Sequence, residues 1–278
     1  MKIKSSLFVI TLAVCSNSHA AIILDQKFGA IADATLLTSV TGTRDGTVGV
    51  GTGNTSFTYV RVSTGASPTL EFQNPSAFSG SSALLGASTT SLTGVGSSGF
   101  SAFTVGTLDF SLKTGSLGTN SIFFFGVGTG TTFTGNSAFT GAHLTAAYQL
   151  VNGVFQVRTG TSGSQSWTSL TPGKTLAANT SYNITVVFNG SASSVSYGVG
   201  SIAAGSTDIY LDGTSLGNYD IIDAVDVTGV RFYTTTSGGA FELDNVLLQN
   251  TAVMPIPEPN AAALFGALGV LGLLRRRR

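Results

Sequence analysis

Residues 146–158 read AAYQLVNGVFQVR, and this stretch predicts the class of fold. Segments 146–151 and 154–158 are rich in residues that favour strands, and they flank Asn152 and Gly153. Both turn residues tolerate the positive φ angles of a type I′ turn, so the stretch predicts an antiparallel hairpin. The segment Ile209-Tyr210-Leu211, followed by Asp212-Gly213, predicts a second hairpin of the same kind.

Three further segments have the pattern of strands. Side-chain types alternate along residues 57–62 and 105–112, which predicts strands whose two faces differ. Residues 122–127 form a continuous apolar run with three phenylalanines, bounded by glycine-rich segments. That run predicts a central strand buried on both faces.

The composition agrees with strands joined by tight turns. Of the 278 residues, 36 are glycine and only 9% are charged. Glycine and the β-branched residues are poor helix formers, and residues 21–251 show no sustained helical period. We therefore expect an all-β domain over residues 21–254, long enough to bury one sizeable core.

Residues 182–188 read YNITVVF and residues 209–217 read IYLDGTSLG. This order resembles the late strands of concanavalin-A-like and laminin-G-like jelly rolls. We expect Asn189-Gly190 to turn the strand at 181–188 onto a partner at 195–200, and residues 241–248 to form the closing edge strand. The resemblance implies a two-sheet antiparallel sandwich of jelly-roll type.

The first twenty residues have the organisation of a signal peptide. Lys2 and Lys4 precede an apolar stretch at 7–14, and Ser18-His19-Ala20 supplies small residues where signal peptidase reads, so we expect cleavage between Ala20 and Ala21. A lipoprotein motif at 12–15 is the alternative, and the bulk of Val14 argues against it. Cys15, the only cysteine of the chain, would leave with the signal.

The C-terminal segment 255–278 combines three elements. Pro257-Glu258-Pro259 precedes an apolar run at 261–274, and the chain ends in Arg275, Arg276, Arg277 and Arg278. This order resembles the PEP-CTERM sorting signal of Gram-negative bacteria, whose carriers are handled by the membrane enzyme exosortase. The resemblance implies export through the inner membrane, transient anchoring by a short transmembrane helix, and release to the cell surface or extracellular matrix.

A permanent single-pass anchor is the alternative for this segment. Fourteen helical residues reach about 21 Å, against a hydrocarbon core of about 30 Å, so the run can only just span.

The acidic residues argue against a glycosidase. Between the two end segments the only glutamates are Glu71 and Glu242. Glu242 and Asp244 share one face of a predicted strand, as in the Glu-x-Asp-x-x-Glu motif of glucanases, but position 247 is leucine. His143, the one histidine outside the signal segment, has no nucleophile motif near it. We therefore expect no catalytic residue and no enzyme.

Calcium is the one cofactor that the sequence leaves open, because carboxylates and loop carbonyls are its ligands. Asp25 and Asp244 would meet if the first and last strands paired, and Asp220, Asp223 and Asp226 form a second acidic group, shortly after Asp208 and Asp212.

The charge excludes nucleic acid as a partner. Without the two end segments the chain keeps seven basic and twelve acidic residues, a net charge of about −5. We expect an exported structural or adhesive protein of the exopolysaccharide matrix, or alternatively a carbohydrate-binding module. Aromatic side chains would then stack on sugar rings or simply pack in the core, the candidates being Trp167, Tyr148, Tyr197, Tyr210, Tyr219 and Tyr233.

Overall fold

The computed structural model describes residues 21–26, 59–61, 70–73, 77–78, 82–85, 93–117, 121–130, 143–160, 166–170, 173–198, 200–235 and 240–255. The expected signal peptide, the Pro257-Glu258-Pro259 motif, the apolar run and the arginine tail lie outside these ranges. Within them, no helix is long and apolar enough to cross a membrane.

Seventeen strands make up the regular structure of the described residues. In chain order they are β1 (Ile22–Gln26), β2 (Tyr59–Arg61), β3 (Leu70–Gln73), β4 (Ser82–Leu85), β5 (Thr93–Phe103), β6 (Val105–Thr114), β7 (Ile122–Gly128), β8 (Leu144–Val151), β9 (Val154–Thr159), β10 (Ser166–Ser169), β11 (Ser181–Asn189), β12 (Val195–Tyr197), β13 (Gly200–Ile202), β14 (Ser206–Leu211), β15 (Thr214–Asp220), β16 (Val227–Thr235) and β17 (Phe241–Gln249).

The strands form two large antiparallel sheets. Sheet 1 has the order β15-β14-β11-β6-β17-β4-β3, with β1 also paired to β17. Sheet 2 has the order β10-β9-β8-β7-β16-β5-β2, and β12 and β13 form a separate pair. The expected all-β, two-sheet antiparallel sandwich of jelly-roll type is therefore confirmed.

The core lies between the inner faces of the two sheets. Phe110 on β6 of sheet 1 meets Phe125 and Phe232 of sheet 2 edge-on, with ring centroids 4.8 and 5.0 Å apart. Each of these three residues is at most 2% exposed. Packing of aromatic side chains between the sheets is therefore a main source of stability.

Both expected hairpins are confirmed. Asn152 and Gly153 have φ angles of 53° and 81° between β8 and β9, and Asp212 and Gly213 have 50° and 74° between β14 and β15. Positive φ at both central residues is what a type I′ turn requires.

The expected central strand at 122–127 is β7, the middle strand of sheet 2. Its inner face is buried, while Phe124 on the opposite face is only half-buried. The side chains along β2, which covers part of the expected strand at 57–62, lie outside the description.

The last strand is not an edge strand, contrary to the expectation for residues 241–248. β17 pairs with β6 along one side, while β4 and then β1 share its other side. Local sequence does not reveal this position, because the covering strands come from much earlier in the chain.

The expected pairing of 181–188 with 195–200 is also wrong. β11 lies between β6 and β14, so both its edges are occupied, and β12 pairs only with β13. The Asn189 side-chain amide donates to the carbonyls of Ser193 and Ala203 at 2.8 and 3.0 Å, which fixes a loop instead of a hairpin. The β12–β13 pair packs against the outer face of sheet 1.

Candidate functional site

An aromatic row crosses the outer face of sheet 2. Because side chains alternate along a strand, Phe123 and Phe125 point into the core and Phe124 points outward. Register places Phe124 opposite Tyr233 on β16, and Trp167 stands on β10, the strand at the end of the sheet. We call Trp167, Phe124 and Tyr233 the aromatic row.

The three rings are in contact. The centroids of Trp167 and Phe124 are 5.7 Å apart with the planes tilted by 57°, and those of Phe124 and Tyr233 are 4.5 Å apart and stacked at 14°. Two strands, β9 and β8, separate the backbones of Trp167 and Phe124, and the small residues Ala147 on β8 and Gly126 on β7 stand opposite each other beside Phe124. These small residues leave room for the indole to lie across the sheet.

An arginine contacts each of the two terminal members of the aromatic row, Arg158 from β9 and Arg231 from β16. The Cζ atom of Arg158 lies 5.5 Å from the centroid of Trp167, and that of Arg231 lies 4.7 Å from the centroid of Tyr233. Burial lowers the pKa of Arg158, which nonetheless stays protonated at neutral pH as arginines in proteins do.

Burial differs between the two ends of the row. Tyr233 and Arg231 are buried, at 1% and 0% exposure, whereas Trp167, Phe124 and Arg158 are half-buried. The row is therefore accessible at the β10 end and closed at the β16 end.

Two amides lie beside the accessible end. The side-chain amide of Gln149 donates from Nε2 to the side-chain oxygen Oε1 of Gln156 at 2.5 Å. Gln149 stands opposite Phe124 in the register of β7 and β8. Ser169, which is exposed, stands opposite Gln156. Aromatic, amide, hydroxyl and guanidinium groups thus share one face of sheet 2.

The structure brings together only two of the six aromatic candidates from the sequence, Trp167 and Tyr233. Tyr148 lies in the core, where burial raises its pKa and its hydroxyl is 2.6 Å from that of Thr207. Tyr197 and Tyr210 belong to the cluster under β12–β13, and Tyr219 donates to the Leu216 carbonyl at 3.0 Å. For these four, core or local packing is the role that the structure shows.

Sequence reasoning missed Phe124, Arg158 and Arg231. The available indication was the alternation within 122–127 and 154–158, which places Phe124 and Arg158 on the face opposite the core once each strand is assigned. The contact between Trp167 and Phe124 had no such indication, since it depends on the order of four strands.

The outer face of sheet 1 carries carboxylates. Glu242 and Asp244 do share this face, opposite Lys113 and Ser111. Lys113 forms a 2.5 Å ion pair with Glu242, whose second oxygen accepts from the Ala77 amide at 3.1 Å. Leu247, at the position of the glucanase motif's third acid, is matched by Asp109 on β6.

Asp109 is hydrogen-bonded and partly buried. The Thr185 hydroxyl donates to its Oδ1 atom at 2.5 Å, and burial raises the pKa of the carboxyl despite that bond. This carboxyl is therefore easier to protonate than an ordinary aspartate.

The calcium candidates Asp25 and Asp244 are on paired strands but not opposite each other. Asp25 faces Leu247, three residues from Asp244, which is about 10 Å along a strand. Among the residues that the structure describes, no three His, Cys, Asp or Glu side chains are grouped so as to hold a metal ion. Asp208 accepts hydrogen bonds from Tyr197 and Asn218, and His143 is exposed at the start of β8.

Comparison with known proteins gives remote likenesses of fold. No family model and no curated protein matches the chain. Among solved structures, a carbohydrate-binding module from Bacillus subtilis is 10% identical over 61% of this chain and 86% of its own, with a TM-score of 0.41. The T. cruzi calreticulin globular domain is 9% identical over 82% and 87%, with a TM-score of 0.44.

A sialidase is 12% identical over 62% of this chain, with a TM-score of 0.44, and this chain spans only 15% of that protein. At these TM-scores the likenesses carry no weight for what this chain binds. We therefore take its function from its own residues.

Proposed function

We propose that this chain is a non-catalytic carbohydrate-binding domain of the cell surface or exopolysaccharide matrix, and that it binds glycan at the accessible end of the aromatic row. The observation that carries the proposal is the half-buried Trp167, in contact with Phe124 on the outer face of sheet 2 and beside Arg158, Gln156 and Ser169. Sugar rings stack on aromatic faces, and amide and guanidinium groups satisfy their hydroxyls.

The position of the site on the outer face of a sheet, with residues from several adjacent strands, suits a chain-like ligand. A polysaccharide can run across the strands from β10 without entering a closed pocket. At the buried end, Tyr233 stacks on Phe124, which in turn contacts Trp167. This packing holds the accessible Trp167 ring in place before a ligand binds.

The binding test compares Trp167→Ala with the unaltered full chain on immobilised cellulose, xylan, galactan, polygalacturonate and bacterial exopolysaccharide. We expect the substitution to lower retention about 5- to 150-fold, since stacking on an aromatic ring contributes about 1–3 kcal/mol. Tyr182→Ala removes a half-buried aromatic side chain from sheet 1 and is the matched control. Equal retention of Trp167→Ala and the unaltered chain would refute the site.

We further propose that signal peptidase and exosortase deliver the domain to this location. The support is the order of the N-terminal signal features and of Pro257-Glu258-Pro259, the apolar run and the four arginines. The intact mass of the surface protein should lack residues 261–278, in a manner that depends on the proline-glutamate-proline motif. Protein ending at Arg278 on the surface would instead indicate a permanent anchor.

The proposal excludes hydrolysis by Glu242 and Asp244. Glu242 is committed to Lys113 and the Ala77 amide, and a glycosidase needs a general acid and a second carboxylate across a cleft. The full chain should release no reducing ends from the same polysaccharides. Release that disappears in Glu242→Gln would make the protein an enzyme.

A further inference from the structure

The charged residues of the two sheets differ in sign. In the described strands of sheet 2 every charged residue is an arginine, namely Arg61, Arg158 and Arg231. The described strands of sheet 1 carry one lysine and seven acids, which are Asp25, Glu71, Asp109, Asp208, Asp220, Glu242 and Asp244.

This separation matters because the domain as a whole is acidic. Sheets in a sandwich pack about 10 Å apart, so outward-facing carboxylates on sheet 1 are farther than that from the aromatic row on sheet 2. The Debye length at physiological ionic strength is about 8 Å, so those carboxylates have little influence there. The loop after β15 does bring one carboxylate to sheet 2, because the Asp223 amide donates to the Leu144 carbonyl at 3.2 Å and Ile222 packs into the cluster that contains Tyr233. Arg158, the cation in contact with Trp167, supplies the positive charge at the accessible end of the row.

From the position of Arg158 beside Trp167, and because the described strands of sheet 2 carry no acidic residue, we infer that the site selects acidic polysaccharides, whose sugars carry carboxylates. The inference rests on the proposed function and specifies its ligand class. The Cζ atom of Arg158 lies 5.5 Å from the Trp167 centroid, which is a cation–π contact, so the guanidinium is held directly against the indole on which a sugar would stack. A sugar stacked on the indole would therefore bring its carboxylate within reach of the guanidinium.

Arg158 suits this role because its planar fork binds a carboxylate through two parallel hydrogen bonds. Gln156, two residues away on the same face of β9, offers an amide to a neighbouring hydroxyl. Arg231 is fully buried against Tyr233, so it contributes positive potential without touching the ligand.

The experiment measures the affinity of the full chain for polygalacturonate and for the carboxyl-reduced form of the same polymer, a neutral galactan with identical linkages. We expect polygalacturonate to bind about tenfold more tightly, as one charge-assisted hydrogen-bonded pair provides. Arg158→Gln should remove this difference, because it lowers the affinity for the acidic polymer about tenfold more than the affinity for the neutral polymer. Raising the salt concentration should weaken only the binding of the acidic polymer.

Lys113→Gln is the matched control, because it removes the same charge from the outer face of sheet 1. It should change neither affinity, and Arg158→Lys should retain only part of the preference for the acidic polymer. Equal affinity of the unaltered chain for both polymers, or an unchanged preference in Arg158→Gln, would overturn the inference. The proposed function would still stand in that case if binding depended on Trp167. Binding to neither polymer nor to any glycan of the panel would overturn both.

Discussion

At the scale of single residues, both the backbone angle and the close packing at position 153 favour glycine over any residue with a side chain. Its φ is 81°, and a Cβ atom there would lie 2.7 Å from the Leu176 carbonyl and 2.8 Å from a Leu117 methyl. Gly205 has a φ of 67° with nothing within 4 Å of its Cβ position. A substitution at Gly205 therefore introduces backbone strain alone, whereas a substitution at Gly153 introduces both backbone strain and a steric clash.

We expect Gly205→Ala to lower the free energy of unfolding by about 1 kcal/mol, through positive φ alone. Gly153→Ala should cost about 2–4 kcal/mol, because overpacking adds to the strain. Urea unfolding of both variants measures this. Equal losses would mean that the turn at Asn152-Gly153 relaxes freely, which contradicts the close packing described for it.

Asp109 gives a residue-scale prediction about pH. Because burial raises the pKa of its folded state, the ionised carboxyl opposes folding at neutral pH, and this cost is relieved as pH falls through the folded pKa towards the unfolded value of about 3.9. Asp109→Asn keeps an acceptor for the Thr185 hydroxyl, so it should stabilise the protein at pH 7.

The gain should be absent at pH 3.5, as urea unfolding at the two pH values can show. The control is Asp226→Asn, which removes an equal charge from an exposed position. A gain for Asp109→Asn that persists at pH 3.5, or a loss at pH 7, would contradict the pKa direction.

At the scale of elements, the β12–β13 pair is fastened to sheet 1 by hydroxyl groups. The Tyr197 hydroxyl donates to a carboxylate oxygen of Asp208 and is 2.5 Å from the hydroxyl of Tyr210. Burial raises the pKa of Tyr197, and Asp208 is buried beneath it. The pair therefore shields a charged group from water.

Tyr197→Phe should lower the free energy of unfolding by about 1–3 kcal/mol, because it removes one donor from a buried carboxylate. Tyr182→Phe is the control, since its hydroxyl only accepts from the Ala177 amide at an exposed place, and it should cost less. If the two variants lose equal stability in thermal or urea unfolding, the β12–β13 pair is not fastened in this way.

Elements also show what could be predicted from sequence. The two hairpins were predictable, since Asn152-Gly153 and Asp212-Gly213 each specify a tight turn and therefore also which two strands pair across it. β11 and β17 were predictable as strands, but their places within sheet 1 were not, because the strands that pair with them come from distant segments of the chain. At the candidate site Trp167 was predictable as a residue of interest, whereas its contact with Phe124 depends on the lateral order of β10, β9, β8 and β7.

At the scale of the whole molecule, the sandwich separates two kinds of surface. Sheet 1 carries carboxylates partly covered by β12–β13, and sheet 2 carries the aromatic row with Arg158 against Trp167 and Arg231 against Tyr233. The proposed glycan site therefore lies on the outer face of sheet 2, on the opposite side of the sandwich from the carboxylates of sheet 1.

The central claim is that glycan binds at the aromatic row, and the chain offers a direct probe of it because Trp167 is its only tryptophan. The decisive measurement is tryptophan fluorescence of the full chain during titration with each polysaccharide that calorimetry shows it to bind. We predict a change in emission with the same midpoint as the heat of binding. Saturable heat with unchanged tryptophan emission would place the bound glycan elsewhere and contradict the claim.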